Sequence, residues 1–325
     1  MLLLLRMEAG QLPLNNSKTT GSRKILLLGN GLVGNAIQRQ LQKNSTFTVI
    51  TVSKKSYDLI DVNSVHEMFK THKPDLCILA AGVVGGIEKN ISSPAELIIS
   101  NTRIILNVIE SLPIFNVKYF INLVPACVYP SNLHRPAVPK DLFSSPMESS
   151  SLPYSTAKIA SIVMVNALRN QSNANYMSLI STNIYGDNLE IETHKAHVIP
   201  ALINKFTEAK KLKAKSISLL GDGTPIREFL HADDLANAVI KVISDGLFQK
   251  NILNVAGGQS ITIKRLAELV KTVTGYSGEV IFSSSEKNGT LVKLIDGSEL
   301  REYGWKPEIT LEQGIERAYH AKNAD

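Results

Sequence analysis

Lys24-Ile25-Leu26-Leu27-Leu28-Gly29-Asn30-Gly31-Leu32-Val33-Gly34 is the stretch whose reading decides the fold. An apolar run flows directly into three glycines, and Val33 to Gln42 then continues with helical periodicity. Strand, glycine turn, helix is the order in which a backbone can approach a pyrophosphate. The glycines clear space, and the helix N-terminus presents uncommitted N–H groups. Such a triplet is weak evidence alone. Its place between a strand and a helix makes Gly29, Asn30, Gly31, Leu32, Val33 and Gly34 candidate cofactor contacts.

Outward from this turn, Phe47 to Val52, Leu76 to Ala80, Val117 to Leu123 and Tyr176 to Ser181 read as further strands. Pro94 to Leu112 and Pro153 to Arg169 read as long helices between them. Strands alternating with helices predict an α/β fold, a doubly wound parallel Rossmann-type sheet covered on both faces. After Tyr185-Gly186 the rhythm changes. Asp187 to His197 is polar and irregular, Val198 to Lys210 helical, and Ser216 to Leu220 extended. Asp233 to Leu247 returns to the main layer, while Ile261 to Thr274, Glu279 to Phe282 and Leu311 to Ala321 suggest a smaller C-terminal lobe. The expected division is a flexible leader at 1–22 (with Met7 an alternative start), a cofactor-binding domain at 23–184 plus about 225–250, and a substrate lobe at about 185–224 plus 251–323. The cleft between domain and lobe is the expected site.

The 325 residues are 44% hydrophobic, enough for a large core. The net charge is +6, but the lysines are scattered except between Lys210 and Lys215. That pattern reads as a solvated helix end rather than a nucleic-acid patch, and it suits an anionic small ligand. Cys77 and Cys127 are too few for a disulfide framework, which points to a reducing cytoplasm. Met1 to Leu5 is too short for a signal core. No stretch reads as membrane-spanning, so no membrane partner is expected, and no metal site is predicted.

Tyr154-Ser155-Thr156-Ala157-Lys158 sets a phenol and an ammonium four apart on one helix face. A nearby cation favours the ionised phenol, which would let Tyr154 pass protons near neutral pH. With the glycine turn, this predicts nicotinamide-dependent chemistry at a sugar or alcohol carbon. The end of the second strand reads Val52-Ser53-Lys54-Lys55. An acidic residue there would bind the ribose 2′-hydroxyl of NAD. A hydroxyl and two cations suit a 2′-phosphate instead, so Ser53 and Lys54 favour NADP(H). Asp61 is a candidate for holding adenine, and Ala80-Ala81-Gly82 supplies small residues where a cofactor would pass.

The most specific segments are Val84-Gly85-Gly86-Ile87, Cys127-Val128-Tyr129-Pro130, Tyr154 to Ala160, Asn183-Ile184-Tyr185-Gly186, His197 to Leu202, Gly223 to His231, and Gly289-Thr290. In these the chain resembles the extended short-chain dehydrogenase/reductases. Within that group it resembles the GDP-L-fucose synthase family, NADPH-dependent enzymes that epimerise and reduce GDP-4-keto-6-deoxy-mannose. The resemblance implies that Tyr154 protonates the C4 oxygen and that Lys158 holds the nicotinamide ribose. It implies an acid/base pair, Cys127 and His197, acting at C3 and C5. Arg227 would clamp a substrate phosphate, with Val84, Gly85, Lys205 and Lys293 also on the substrate side. Homodimers would form through the two long helices.

Three positions depart from the family. Its catalytic hydroxyl falls on Pro125, which has neither side-chain donor nor N–H. One donor fewer at a developing oxyanion costs on the order of 3 kcal/mol, so the reductase step is expected to be weakened. Epimerisation by Cys127 and His197 would be spared, and Ser151 is a candidate replacement hydroxyl. The glycine turn has one residue fewer than usual between Gly29 and Gly31 and lacks the family's basic residue. Leu220 stands where an aromatic residue is common. The alternative reading is a catalytically silent nucleotide-binding or regulatory subunit. A third, a nucleotide-sugar dehydratase, would show an acidic pair where this chain has Ala126-Cys127.

Overall fold

The computed structural model describes residues 23–85, 87–187, 197–284 and 289–323. The predicted leader, Gly86 and most of the polar stretch after Asp187 lie outside the described residues. In chain order the strands are β1 (Arg23–Leu28), β2 (Phe47–Val52), β3 (Leu76–Leu79), β4 (Tyr119–Pro125), β5 (Asn175–Ser181), β6 (Asn183–Tyr185), β7 (Ser216–Leu219), β8 (Ile226–His231), β9 (Ile252–Val255), β10 (Ser260–Thr262), β11 (Glu279–Phe282) and β12 (Val292–Lys293). The helices are α1 (Leu32–Leu41), α2 (Val62–His72), α3 (Ile87–Ser92), α4 (Pro94–Ile114), α5 (Leu152–Ser172), α6 (Val198–Lys211), α7 (Ala232–Asp245), α8 (Ile263–Thr274), α9 (Ser298–Glu302) and α10 (Leu311–Asn323).

Six strands form one sheet in the order β2-β1-β3-β4-β5-β9, every neighbouring pair parallel. The continuous apolar runs of β1 and β3 follow from burial on both faces. One face carries α1 and α7, with Ile37, Val239, Phe248 and Trp305 in its core. The other carries α2, α4 and α5 over Phe69, Val108, Phe120 and Tyr176. The connections from β1 depart to β2 on one side and onward to β3 on the other. This reversal opens a crevice at the carboxyl ends of the strands, directly above the glycine turn.

The smaller lobe holds β10-β8-β12, with β6 also on β8, and the pair β11-β7. Its own core gathers Leu202, Phe206, Leu266, Tyr276 and Ile315. Strand β8 belongs to the lobe but runs on without a break into α7 of the main layer. The lobe's polar residues are therefore rigidly referenced to the sheet.

Two expectations are corrected. The lobe does not include all of 251–323: β9 is the sixth strand of the main sheet, and Leu300 and Trp305 pack into the main core. A four-residue parallel strand with three consecutive buried residues carries no periodicity, so the run Ile252 to Val255 lacks a strand signal. The second concerns membrane-spanning length. Helix α4, with 21 residues, is long and apolar enough to cross a membrane. In the fold, Leu97, Ile104, Ile105, Val108 and Leu112 bury one face of it against the sheet and its neighbours. Core packing thus accounts for the buried face of its apolar content.

Candidate active site

The glycine turn is built for close approach. Gly29 has φ +110°, and a Cβ there would meet Ala81 N at 2.9 Å. At Gly34 a Cβ would lie 1.9 Å from the Gly29 carbonyl oxygen, so only glycine lets α1 start this close to β1. Gly31 differs: nothing lies within 4 Å of its would-be Cβ, leaving that side open toward the crevice. Gly31 caps α1 without a side-chain hydrogen bond, and the first turn carries no acid. The N–H groups at Leu32, Val33 and Gly34 thus face the crevice at the positive end of the helix dipole, a cradle that fits a pyrophosphate.

At the end of β2, Ser53 turns the chain: its N–H donates to Ser56 Oγ at 3.0 Å, and its carbonyl accepts from Tyr57 N–H at 3.0 Å. Lys54 and Lys55 stand exposed beyond it, and no carboxylate occurs before Asp58. The donor set fits a 2′-phosphate better than a free 2′-hydroxyl. Asp61 is exposed and is the N-cap of α2, accepting from Asn63 N–H at 3.0 Å. That role accounts for its carboxylate without adenine. Ala80, Ala81 and Gly82 line the end of β3, and Lys158 Nζ sits 3.6 Å from where a Gly82 Cβ would be.

The reacting groups come from β4 and α5. Strand β4 closes at Pro125, and a short 3₁₀ turn, Ala126–Val128, follows with Cys127 at its centre. Helix α5 starts at Leu152 and carries Tyr154 and Lys158 on its first turns. Its register is locked from beneath by a buried polar set: Asn122 Nδ2 donates to Ser161 Oγ at 2.8 Å, and Ser161 Oγ donates to the Lys158 carbonyl at 2.6 Å. Burial lowers the Lys158 pKa to about 8. Burial also raises the Tyr154 phenol, and the charge that reaches it comes from Cys127, raising it further. The expectation that Lys158 holds Tyr154 near neutrality is therefore corrected: desolvation of the phenol sets the direction, and Lys158 is not among the charges that act on it. The Cys127 thiol is likewise raised by burial, opposed by Lys293, by a hydrogen bond from Ser155 and by Lys158.

Pro125 offers no hydroxyl, and Ser151 is not turned to replace it. Ser151 receives the Ser155 hydroxyl at 3.3 Å and donates to the Glu148 carbonyl at 3.4 Å. His197 is the exposed N-cap of α6, its pKa lowered by partial desolvation. Among the described residues no hydrogen bond joins it to Cys127. Lys205 is exposed on α6, and Val84 is 57% exposed. Gly85 packs on Lys89, whose Cβ lies 2.6 Å from where a Gly85 Cβ would be.

On the substrate side, Arg227 and Lys293 are register partners on β8 and β12. Between them stands Glu148, which the sequence did not single out. Lys293 Nζ donates to Glu148 Oε2 at 2.8 Å. Burial favours the neutral Glu148 carboxyl, but the charge and hydrogen bond of Lys293, with the Thr290 N–H, outweigh it and hold its pKa low. Asn101 was also missed. It is a buried amide on apolar α4, with Oδ1 accepting from Val83 N–H at 3.0 Å and Nδ2 donating to the Val83 carbonyl at 2.9 Å. A polar residue on the buried stripe of an apolar helix is the signal that would have found it.

A larger cavity of ≈ 700 Å³, lined by Asp187, Gln313, Glu316 and Arg317, lies on the α10 side and shares no lining residue with the groups above. Beside it, ligand atoms of Asp187, His231 and Asp233 lie within 4.8 Å of one another. Their lone pairs are engaged: Arg317 bridges Asp187 and Asp233 at 2.7 and 2.8 Å, and Arg39 takes Asp233 at 2.7 Å. The cluster is an ion-pair network.

The sequence pattern of the NAD dependent epimerase/dehydratase family matches residues 25–256. The chain belongs to that family. It is 39% identical over 299 residues to the putative GDP-L-fucose synthase 2 of Arabidopsis thaliana, covering 92% of this chain and 91% of the relative. It is 35% identical to the GDP-L-fucose synthase of Escherichia coli, over 91% of this chain and 95% of that one. Among solved structures, the GDP-mannoheptose C4 reductase of Campylobacter jejuni, with NADP bound, superposes with a TM-score of 0.83 at 30% identity, covering 93% and 98% of the two chains. The chain has the Rossmann-like extended short-chain dehydrogenase/reductase fold of that structure.

Proposed function

We propose that the protein is an NADPH-dependent epimerase/reductase that converts GDP-4-keto-6-deoxy-D-mannose to GDP-L-fucose. The observation that supports the reading is that Tyr154 and Lys158 both lie within electrostatic reach of Cys127, with Lys158 beside Gly82, in a chain 35–39% identical to GDP-L-fucose synthases over nine-tenths of its length. Comparisons of that extent favour an enzyme over a silent subunit.

NADPH, when bound, supplies the hydride for C4. The N–H groups of Leu32 to Gly34 would hold its pyrophosphate, Lys54 its 2′-phosphate, and Lys158 the ribose beside Gly82. Carbons flanking the ketone have acidic protons, and a thiol/imidazole pair can remove and return them. Cys127 fits one half of that pair and His197 the other. Tyr154 would give its proton to the C4 oxygen. Its raised pKa keeps it protonated and ready as an acid, while Lys158 stabilises the phenolate that forms.

Two accessory readings go with this. Ile99, Leu106 and Ile114 form an exposed apolar stripe along α4, and Val163 adds to it from the adjacent α5. That stripe supports a homodimer built on these helices. The free thiols Cys77 and Cys127 support a reducing, cytoplasmic setting.

The test is incubation of purified protein with GDP-4-keto-6-deoxy-mannose in heavy water, with and without NADPH. Deuterium at C3 and C5 together with NADPH oxidation is expected. Cofactor binding with neither signal would overturn the proposal.

A further inference from the structure

Glu148 has no place in the chemistry assigned above, yet it occupies the middle of the substrate side. It precedes the 3₁₀ turn Ser149–Ser151 that leads into α5, so its position is tied to that of Tyr154. Its Oε2 accepts from Lys293 at 2.8 Å. Its Oε1 accepts from the Thr290 N–H at 3.4 Å, and the Thr290 hydroxyl also reaches the carboxylate. An ionised carboxylate has roughly four lone-pair sites, so acceptor capacity is left over. The carboxylate lines a cavity of ≈ 420 Å³ in which Ser131, Ser149, Ser150 and Thr290 supply hydroxyls while Leu133, Leu291 and Val292 supply apolar surface. Such a mixed lining suits a sugar, which has hydroxyl edges and apolar C–H faces.

The two cations beside Glu148, outside this cavity's lining, differ in their commitments. Lys293 is committed to Glu148, whereas Arg227 donates to its neighbour's carbonyl, Ile226 O, at 2.9 Å and forms no ion pair among the described residues. A diphosphate is drawn to Arg227, whereas the spare lone pairs of the Glu148 carboxylate suit an uncharged hydrogen-bond donor. Glu148 lies close enough to both Arg227 and Cys127 to act on them electrostatically.

We propose that Glu148 is a sugar-recognition residue, accepting a hydrogen bond from the 2-hydroxyl of the hexose, the one hydroxyl on a ring carbon the reaction leaves untouched, while Lys293 holds its carboxylate in place. This rests on the GDP-sugar reading above.

The test compares the parent GDP-4-keto-6-deoxy-mannose with its 2-deoxy analogue, on wild type, Glu148→Ala and Glu148→Gln. Wild type should lose about tenfold or more in kcat/KM on the analogue, because a partly buried acceptor is left unpaired. Glu148→Ala should lose a similar factor on the parent, mainly through KM, and should no longer distinguish parent from analogue. Glu148→Gln should fall between. Lys293→Met, which keeps the carboxylate, should retain part of the discrimination and guards against misfolding of the Glu148 variants. A purely structural Glu148 would lower activity without altering discrimination between parent and analogue, and that result overturns the inference alone. A wild type that binds NADPH but leaves the parent untouched overturns the inference and the GDP-sugar reading together.

Discussion

Replacing Pro125 by serine should speed the reduction. Pro125 ends β4 at φ −79° and ψ 153°, an extended conformation open to any L-residue, and it is only partly buried. The exchange therefore forces no backbone change and leaves no closed void. Loss of the ring costs stability only through the freer unfolded chain, roughly 0.4–1 kcal/mol. The gained hydroxyl would stand two residues before Cys127, on the strand end that faces the start of α5 and Tyr154. A preorganised donor to a developing oxyanion is worth about 3 kcal/mol, a hundred- to a thousandfold in rate. A serine introduced without supporting hydrogen bonds will realise part of this, so a gain of about tenfold or more is expected. The assay is single-turnover oxidation of NADPH by GDP-4-keto-6-deoxy-mannose, with solvent deuterium uptake at C3 and C5 as an internal control. NADPH carrying deuterium at the transferred position should slow the wild type, showing that hydride transfer limits it. An unchanged oxidation rate with normal deuterium uptake would refute the view that the missing donor limits reduction.

Lys158→Met should abolish reduction yet stabilise the protein measured without NADPH. Burial lowers the folded pKa from 10.5 to about 8, so between those values the unfolded chain binds the proton more readily and stability rises with pH. Below about pH 8 the buried charge costs on the order of 3 kcal/mol, and melts at pH 7 should favour the variant by a difference that shrinks as the pH climbs past 8; a less stable variant at pH 7 would contradict this. Cys127→Ser should cut deuterium uptake at least about a hundredfold while NADPH oxidation directed by Tyr154 continues, and full retention of uptake would move the base elsewhere. Changing Ile99 and Leu106 together to glutamate should halve the mass seen by light scattering, because both are about half exposed and tolerate charge in a monomer; an unchanged mass would remove α4 from the interface.

The legible parts were those with local signatures. The glycine turn, the Tyr154–Lys158 spacing and most of the main-sheet strands could be read because periodicity and glycine placement are properties of short segments. Strand β9 escaped because so short a run, with three consecutive buried residues, looks alike in any setting. Helix α2 escaped because Val62 to His72 mixes polar and apolar residues until Val65, Met68 and Phe69 find the sheet. The phenol's pKa was misjudged because spacing reports the distance to a cation but not the depth at which both groups lie. Glu148 and Asn101 escaped for a third reason: each works through partners 145 and 18 residues away, Lys293 and Val83, which only tertiary structure brings together.

The joint between domain and lobe rests on charge as well as apolar packing, and this bears on how the cleft is held. His231 is fully buried, and its Nδ1 accepts the Asp233 N–H at 3.2 Å. The proton of the neutral ring must then sit on Nε2, which donates to Asp187 at 3.1 Å. Asp187 is thereby fixed, and with it Gly186, where a Cβ would already touch Leu32 of the glycine-turn helix at 2.9 Å. Arg39 from α1 and Arg317 from α10 converge on the same Asp233. One carboxylate thus ties the cofactor helix to the last helix of the lobe. Across the cleft, Glu228 makes a second such tie. It is buried on β8 and accepts from the Gly258 N–H at 2.7 Å, beside β9. Directional contacts of this kind set distance and angle, whereas apolar packing tolerates sliding. A site whose hydride donor and acceptor must meet within a fraction of an ångström gains from having its two halves held at both ends by bonds with a preferred geometry.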